Sequence, residues 1–288
     1  MEIGKIFNKS WDELIKNKVF ILPVIIMIII PFLLFLIFLG FTDLGGIYKD
    51  LVDKPEILEN SEDSTEKFAE IFTVKNIVLG IIFISIGIIL NLYFSCCMFA
   101  LISMNIKKIE LNYHHMISFA NKFFIRFIGL NLLVLIIIAL PLIVLWILAA
   151  ITYINYDNLA IILILLSLII SFIYFIYIAL KLFFINPIIF LDNKSASASI
   201  KESFKLTKGK MKDIIVLTLV ILGITLISNF FINTPMQASI FWVIKTDTLM
   251  KIMVGIILAL IFLILSAIVY MFIQLFIFYA YINFRKKL

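Results

Sequence analysis

Few side chains among these 288 residues are of a type that does chemistry, and their spacing limits what they can do. His114 and His115 are the only histidines and are adjacent. On a helix they diverge by about 100°, so they cannot close on one ion as an i, i+4 pair would. Cys96 and Cys97 are adjacent too and lie inside an apolar run, where they read as two small packed side chains rather than a disulfide or metal site. There is no Gly-x-Ser-x-Gly, no His-Glu-x-x-His, no phosphate-binding glycine loop and no pair of acids within an apolar run. Bond cleavage needs an activated nucleophile or a metal-bound water. The expectation is therefore no catalytic, cofactor-binding or metal-ligating residue, and a protein that is not an enzyme.

One other kind of chemistry is within reach of the sequence. Asn91, Ser95, Asn131, Ser171, Asn229 and Gln274 fall inside apolar runs, and with helix breaks at Pro31 and Pro141 they could line a neutral site for a small-molecule permease. Two facts weigh against it. Coupling to protons or sodium leaves ionisable residues inside membrane spans, and these runs carry none away from their ends. Amides and hydroxyls in such places more often join helices, and Asn91 and Ser95 share one helix face.

The elements that position these residues follow from composition. The chain is 64% apolar and 15% charged, against about 45–50% and about 25% for a soluble domain. Six stretches without Asp, Glu, Lys or Arg predict membrane helices at about 19–41, 76–104, 127–152, 159–180, 214–233 and 252–282. Continuous rather than alternating hydrophobicity selects helices over a barrel. The expected fold is all-α, one polytopic membrane domain over 1–288. The first run follows an 18-residue charged segment and no small-residue cleavage site follows it, so it reads as a retained span.

Basic residues set the expected orientation. Residues 1–18, 105–126, 181–213 and 283–288 carry 18 Lys and Arg, and the opposite segments 42–75, 153–158 and 234–251 carry six. Both termini are expected in the cytoplasm, with the membrane being the cell membrane. The net charge of +6 then divides into +11 on the inner side and −5 on the outer. Loop 42–75 holds nine acids, among them Glu59, Glu62, Asp63, Glu66 and Glu70, and a short amphipathic stretch at Leu44, Ile47, Tyr48 and Leu51. It reads as a solvated face open to a membrane or envelope protein partner.

Three cytoplasmic segments are amphipathic. Ile3, Ile6, Phe7, Trp11, Leu14 and Ile15 recur at helical spacing opposite Lys5, Lys9, Asp12, Glu13 and Lys16. This helix is expected in the headgroup plane, with Trp11 at the interface. Residues 107–127 repeat the pattern and enter the third span. In 195–213, Ser199-x-x-Glu202 fits a capping box and Gly209 a left-handed stop. Lys201, Lys205, Lys208, Lys210 and Lys212 there are expected to contact anionic headgroups. Surface helix and span pair recur three times, which suggests a threefold repeat. Membrane lipids are the expected partners; nucleic acid is not.

The stretch Tyr177–Leu217, YIALKLFFINPIIFLDNKSASASIKESFKLTKGKMKDIIVL, has a distinctive order. An apolar-Pro-apolar-acid run ends a span, a helix follows with Ser-x-x-Leu-Thr-Lys-Gly, and a basic lead-in opens the next span. This resembles the membrane domain attached to some glycerophosphoryl diester phosphodiesterases, and related stand-alone multi-pass prokaryotic proteins of unknown function. The matching positions are Pro187, Asp192, Ser203, Leu206, Thr207, Lys208 and Gly209. Those enzymes carry their chemistry in a separate soluble domain, so the resemblance implies no catalysis here.

Physics gives the same stretch a structural reading. Pro187 lacks a donor and should kink or end the fourth helix. Lys181, the only charge between Asp157 and Asp192, would cost about 2.5–3.5 kcal/mol at mid-bilayer, so it is expected to snorkel at the cytoplasmic boundary. Asp192 is expected to pair with it or to cap the next helix. The functional expectation is a scaffold or accessory membrane protein, with a permease as the alternative.

Overall fold

The computed structural model describes residues 2–42, 72–155, 157–244 and 249–286, with the side chains of 152–161, 163 and 240–252 left aside. All the described elements are helical: α1 (Ile3–Lys16), α2 (Ile21–Phe41), α3 (Val74–Ile106), α4 (Tyr113–Asn155), α5 (Asp157–Lys181), α6 (Ile185–Leu191), α7 (Ala196–Thr207), α8 (Met211–Ser228), α9 (Thr234–Ile244) and α10 (Leu249–Lys286). Among the described residues six helical stretches are long and apolar enough to cross a membrane: Lys18–Phe41, Val74–Ile106, Tyr113–Ile151, Ile164–Leu191, Met211–Ser239 and Met253–Lys286. This is a multi-pass membrane protein. The acidic cluster and the amphipathic stretch expected in loop 42–75 lie outside the described residues.

Two element boundaries differ from expectation, for identifiable reasons. The second amphipathic segment and the third span form one unbroken helix, α4, because nothing between Tyr113 and Asn155 except Pro141 interrupts helical hydrogen bonding. The fifth span continues past 233 into α9. Pro235 has no N–H for the carbonyl one turn back, and the chain widens into a π-helical turn over Asn229–Asn233 just before it, where the Thr234 hydroxyl donates to the Asn229 carbonyl. Pro235 is thus absorbed inside a continuous helical stretch rather than ending it.

By its internal packing the chain forms two compact units. The smaller is Pro23–Ser95, in which α2 and α3 meet through side chains. Phe38 packs edge-on to Phe83 at 5.8 Å, and Gly87 lets Leu34 come close enough that an added Cβ would sit 3.5 Å from it. Between them runs an apolar groove of about 630 Å³, lined by Pro31, Phe35, Phe83, Ile84 and Asn91 among others.

The larger unit is Met1–Leu22 with Cys96–Leu288. Its core lies toward one end of the helices. The end of α3 (Cys96–Met104), one face of the first turns of α4 (Met116, Ala120, Phe123 and Phe127), Pro187–Phe190 of α6, the inner face of α7 and most of the last turns of α10 are buried there. In the α6 sequence INPIIFL only Asn186 is polar, and it is half-buried, while Pro187 to Phe190 are buried as so apolar a helix must be. Phe190 is the centre, with ring centroids 5.4 Å from Phe99, 5.2 Å from Phe123 and 5.7 Å from Phe127. Farther along α4 and α5, Leu132, Leu135, Ile136, Ile169 and Ile173 are exposed, as residues facing hydrocarbon are.

The apolar face of α1 also differs from expectation. Ile6 and Leu14 are buried because α1 packs along α10, with Phe7 and Trp11 edge-on to Phe272 at 4.8 and 5.9 Å. Amphipathicity measures how much of a helix seeks an apolar neighbour; here that neighbour is in part another helix.

Candidate functional site

The polar residues of the larger unit gather around the joint between α5, α6 and α7. Helix α5 stops at Lys181 and α6 starts at Ile185 with Pro187 in its first turn, so the break falls where the proline demanded it. A break strands backbone groups, and Ser203 of α7 restores two of them. Its Oγ donates to the Lys181 carbonyl at 2.7 Å and accepts from the Phe184 N–H at 3.3 Å. The Ser203 side chain is fully buried.

The other end of α6 is secured in the same way. The Phe190 carbonyl accepts from Ser103 Oγ at 2.9 Å and from Lys107 Nζ at 3.0 Å. Burial holds the Lys107 ammonium below its ordinary range; the nearby Asp192 carboxylate opposes that shift and Lys122 adds to it. Asp192 follows α6, with its side chain 6% exposed. It accepts from the Tyr281 hydroxyl at 2.6 Å and from the Arg285 guanidinium, both on α10. Arg126 donates to Asn193 at 2.8 Å, tying α4 to the same turn.

A second cluster joins α1 to the core. Glu13 accepts from Asn17 at 3.2 Å and from Asn105 at 3.0 Å, and Asn105 also donates to Tyr279 at 3.4 Å. Lys9 lies over the Tyr279 ring at 4.7 Å. Deeper in the spans, Tyr174 of α5 donates to the Ile137 carbonyl at 2.5 Å. That carbonyl is the one Pro141 leaves without its i+4 donor.

No family model, curated protein or solved structure matches this chain. Its own geometry therefore carries the functional argument.

The motif residues come together, with corrections to their roles. Asp192 neither pairs with Lys181 nor caps the next helix, because Tyr281 and Arg285 reach it first. The cap of α7 is Ser195, whose Oγ accepts from the Ala198 N–H, and not Ser199. Ser199 lies inside the helix and donates to the Ser195 carbonyl, while Glu202 pairs with Lys194 at 3.1 Å. Starting four residues earlier makes α7 a helix of 12 residues. Thr207 is buried and donates to the Phe204 carbonyl, Lys208 ends the helix, and Gly209 has φ +78° as its position required.

Lys181 does not reach past the end of its helix. Its ammonium folds back over Tyr177, 5.6 Å from the ring centroid, because helical side chains lean toward the N-terminus. Of the α7 and α8 lysines, Lys201, Lys205, Lys208 and Lys212 are exposed. The Lys210 Nζ is enclosed beside Phe284 at 5.6 Å, so it is not a free headgroup contact. His114 and His115 are exposed with ring centroids 6.2 Å apart. Cys96 and Cys97 are buried free thiols, and Cys96 donates to the Ala120 carbonyl at 3.4 Å.

Of the six intramembrane polar residues, Ser171 has an enclosed hydroxyl without a described partner, and the other five are not joined. Ser95 meets the Met27 sulfur at 3.7 Å, Asn131 donates to the Phe127 carbonyl of its own helix at 2.8 Å, and Asn229 accepts from Asn233 at 2.6 Å. Asn91 lines the groove of the smaller unit and Gln274 is half-buried on α10. Among the described residues no hydrogen bond links any of the five to another. Sequence reading missed Ser103, Lys107, Asn105, Tyr174, Tyr279, Tyr281 and Arg285. Only Tyr174 had a signal, as a donor in a span neighbouring one that Pro141 had deprived of a donor.

Proposed function

We propose that this protein is a non-enzymatic scaffold or accessory protein of a prokaryotic cytoplasmic membrane, with a basic end that holds anionic lipid headgroups. One observation carries the reading. The buried Ser103 and Ser203, the half-buried Tyr174 and the Lys107 ammonium just past the end of α3 bond to backbone carbonyls of neighbouring helices, three of them at the ends of α5 and α6 and Tyr174 opposite Pro141. Polar groups so placed fix helices to one another. A transport site would need donors and acceptors converging on one cavity, and Asn91, Ser95, Asn131, Asn229 and Gln274 bond locally or stand apart.

The excess of 18 basic residues over six supports cytoplasmic N and C termini. In this reading α1, the start of α4 and α7 are the surface segments of a threefold arrangement, and the stretch from Pro187 to Gly209 makes the chain a relative of the membrane domain of glycerophosphoryl diester phosphodiesterases. Trp11, Lys201, Lys205, Lys208 and Lys212 supply headgroup contacts at about 1 kcal/mol per lysine. Loop 42–75 meets a membrane or envelope protein.

The test is lipid retention. The full chain is purified from bilayers of equal phosphatidylglycerol and phosphatidylcholine, and the retained lipids are measured by mass spectrometry. Phosphatidylglycerol should be enriched several-fold, and the combined variant K201Q/K205Q/K208Q/K212Q should lose that enrichment. Equal enrichment in both proteins would overturn the reading.

A further inference from the structure

Lys181 ends α5 with an ammonium that no described protein group accepts. The residue is only 9% exposed, yet among the described residues its Nζ has neither a hydrogen bond nor an ion pair, and its one partner is the face of Tyr177. Tyr177 is 48% exposed and its hydroxyl is likewise without a described partner. The Lys181 ammonium is less enclosed than that of Lys210 but stands on a largely covered side chain, and a charge so placed favours an acceptor.

Depth identifies the acceptor. Helix α5 has 25 residues, about 37 Å of rise, against about 30 Å of hydrocarbon. Its last turn therefore reaches headgroup level, where phosphate is the abundant acceptor. The flanking surface suits the rest of a lipid: Ile173 and Ile169 are exposed and lie four and eight residues before Tyr177, on its side of the helix. The backbone at Lys181 is also held in place, because Ser203 bonds the Lys181 carbonyl at 2.7 Å and both α7 and α8 pack against α5.

We propose that Lys181 and Tyr177 together bind the phosphate of one membrane lipid, whose acyl chain lies along Ile173 and Ile169. Lys181 Nζ makes the charge-assisted bond and the Tyr177 hydroxyl donates a second. This rests on the lipid-binding reading above and names one specific site within it. It also gives the Ser203 joint a purpose beyond stability, as Ser203 sets where the Lys181 backbone stands.

The test uses the full chain in detergent, titrated with dioleoyl phosphatidylglycerol and followed by native mass spectrometry. K181M should weaken binding of the first lipid about tenfold, Y177F should weaken it several-fold, and K181R should restore it. Should K181M fail to fold, Y177F and K181R, which preserve the packing, decide the matter alone. Millimolar inorganic phosphate should not displace the lipid, and a galactosyl diacylglycerol without phosphate should bind weakly. Displacement by inorganic phosphate, or equal binding of the galactolipid, overturns the assignment. If K181M and Y177F bind like the parent while the four-lysine variant loses its enrichment, this site is wrong and the broader function stands. If K181M weakens binding and the four-lysine variant does not, the site stands and the basic-patch reading falls.

Discussion

Replacing Ser203 with alanine should destabilise the fold far more than the same replacement at Ser199, four residues earlier on α7. Both serines are fully buried and both hydroxyls donate to a carbonyl, at 2.7 Å for Ser203 and 2.9 Å for Ser199. What differs is what the hydroxyl leaves behind. The Ser195 carbonyl that Ser199 reaches also accepts from the Ser199 N–H at 2.9 Å, so it stays satisfied, and alanine is the better helix former. At Ser203 the truncation strands the Lys181 carbonyl and the Phe184 N–H in the core. Each orphaned group costs about 1–3 kcal/mol, and the 3.3 Å bond is the weaker of the two. S203A is therefore expected to lose about 2–4 kcal/mol, roughly a 30- to 900-fold change in the unfolding constant, and S199A less than about 0.5 kcal/mol. Equilibrium unfolding in mixed micelles, read by circular dichroism, gives both numbers. If S203A and S199A agree within about 0.5 kcal/mol, α7 does not fasten the break between α5 and α6 and the reasoning fails.

Other predictions use the same assay. Y174F should cost about 1–2 kcal/mol in the parent chain but little in a P141A background, where an N–H returns to the Ile137 carbonyl; equal costs would refute the pairing of Pro141 with Tyr174. Y281F should cost about 1.5–3 kcal/mol, because the buried Asp192 carboxylate loses an enclosed donor. R285M should cost less than about 1 kcal/mol, since Arg285 is 61% exposed; the reverse order would contradict the assignment of the buried bond. Lys107 is held below its ordinary 10.5 by burial, so just below that pH the folded chain binds fewer protons than the unfolded one. Its contribution to stability then rises with pH through that window, and the stability of the parent minus that of K107M should climb as the pH rises toward 10.5. A flat difference would show that the ammonium is not desolvated.

The six spans were legible because a charge-free run longer than the bilayer has one solution, a helix. The break at Lys181 and the turn at Gly209 were legible for the same local reason, since proline removes a donor and glycine alone is at ease at positive φ. The partners were not. Asp192 had two reasonable fates in sequence, Lys181 or the next helix, and took neither because residues 281 and 285 arrive from the far end of the chain. Ser199 and Glu202 matched a capping box, but Ser195 was as good a cap and began the helix four residues sooner. Sequence places an element well when the constraint is local. It says little about which side chain completes another helix's missing bond, because that depends on packing between residues such as 103 and 190 or 137 and 174.

The central claim is that polar side chains at the helix ends fasten the helices to one another and that the polar residues within the spans do not line a path for solute. Single cysteines at Asn91, Asn131 and Gln274, in the full chain reconstituted in lipid, test it by reaction with membrane-impermeant thiol reagents applied to each side. K205C, on the exposed face of α7, is the positive control. The account predicts that K205C is modified from one side only and that the three span positions react from neither. Modification of Asn131 and Gln274 positions from both sides would mean a water-filled path through the bundle, and would favour a permease over a scaffold.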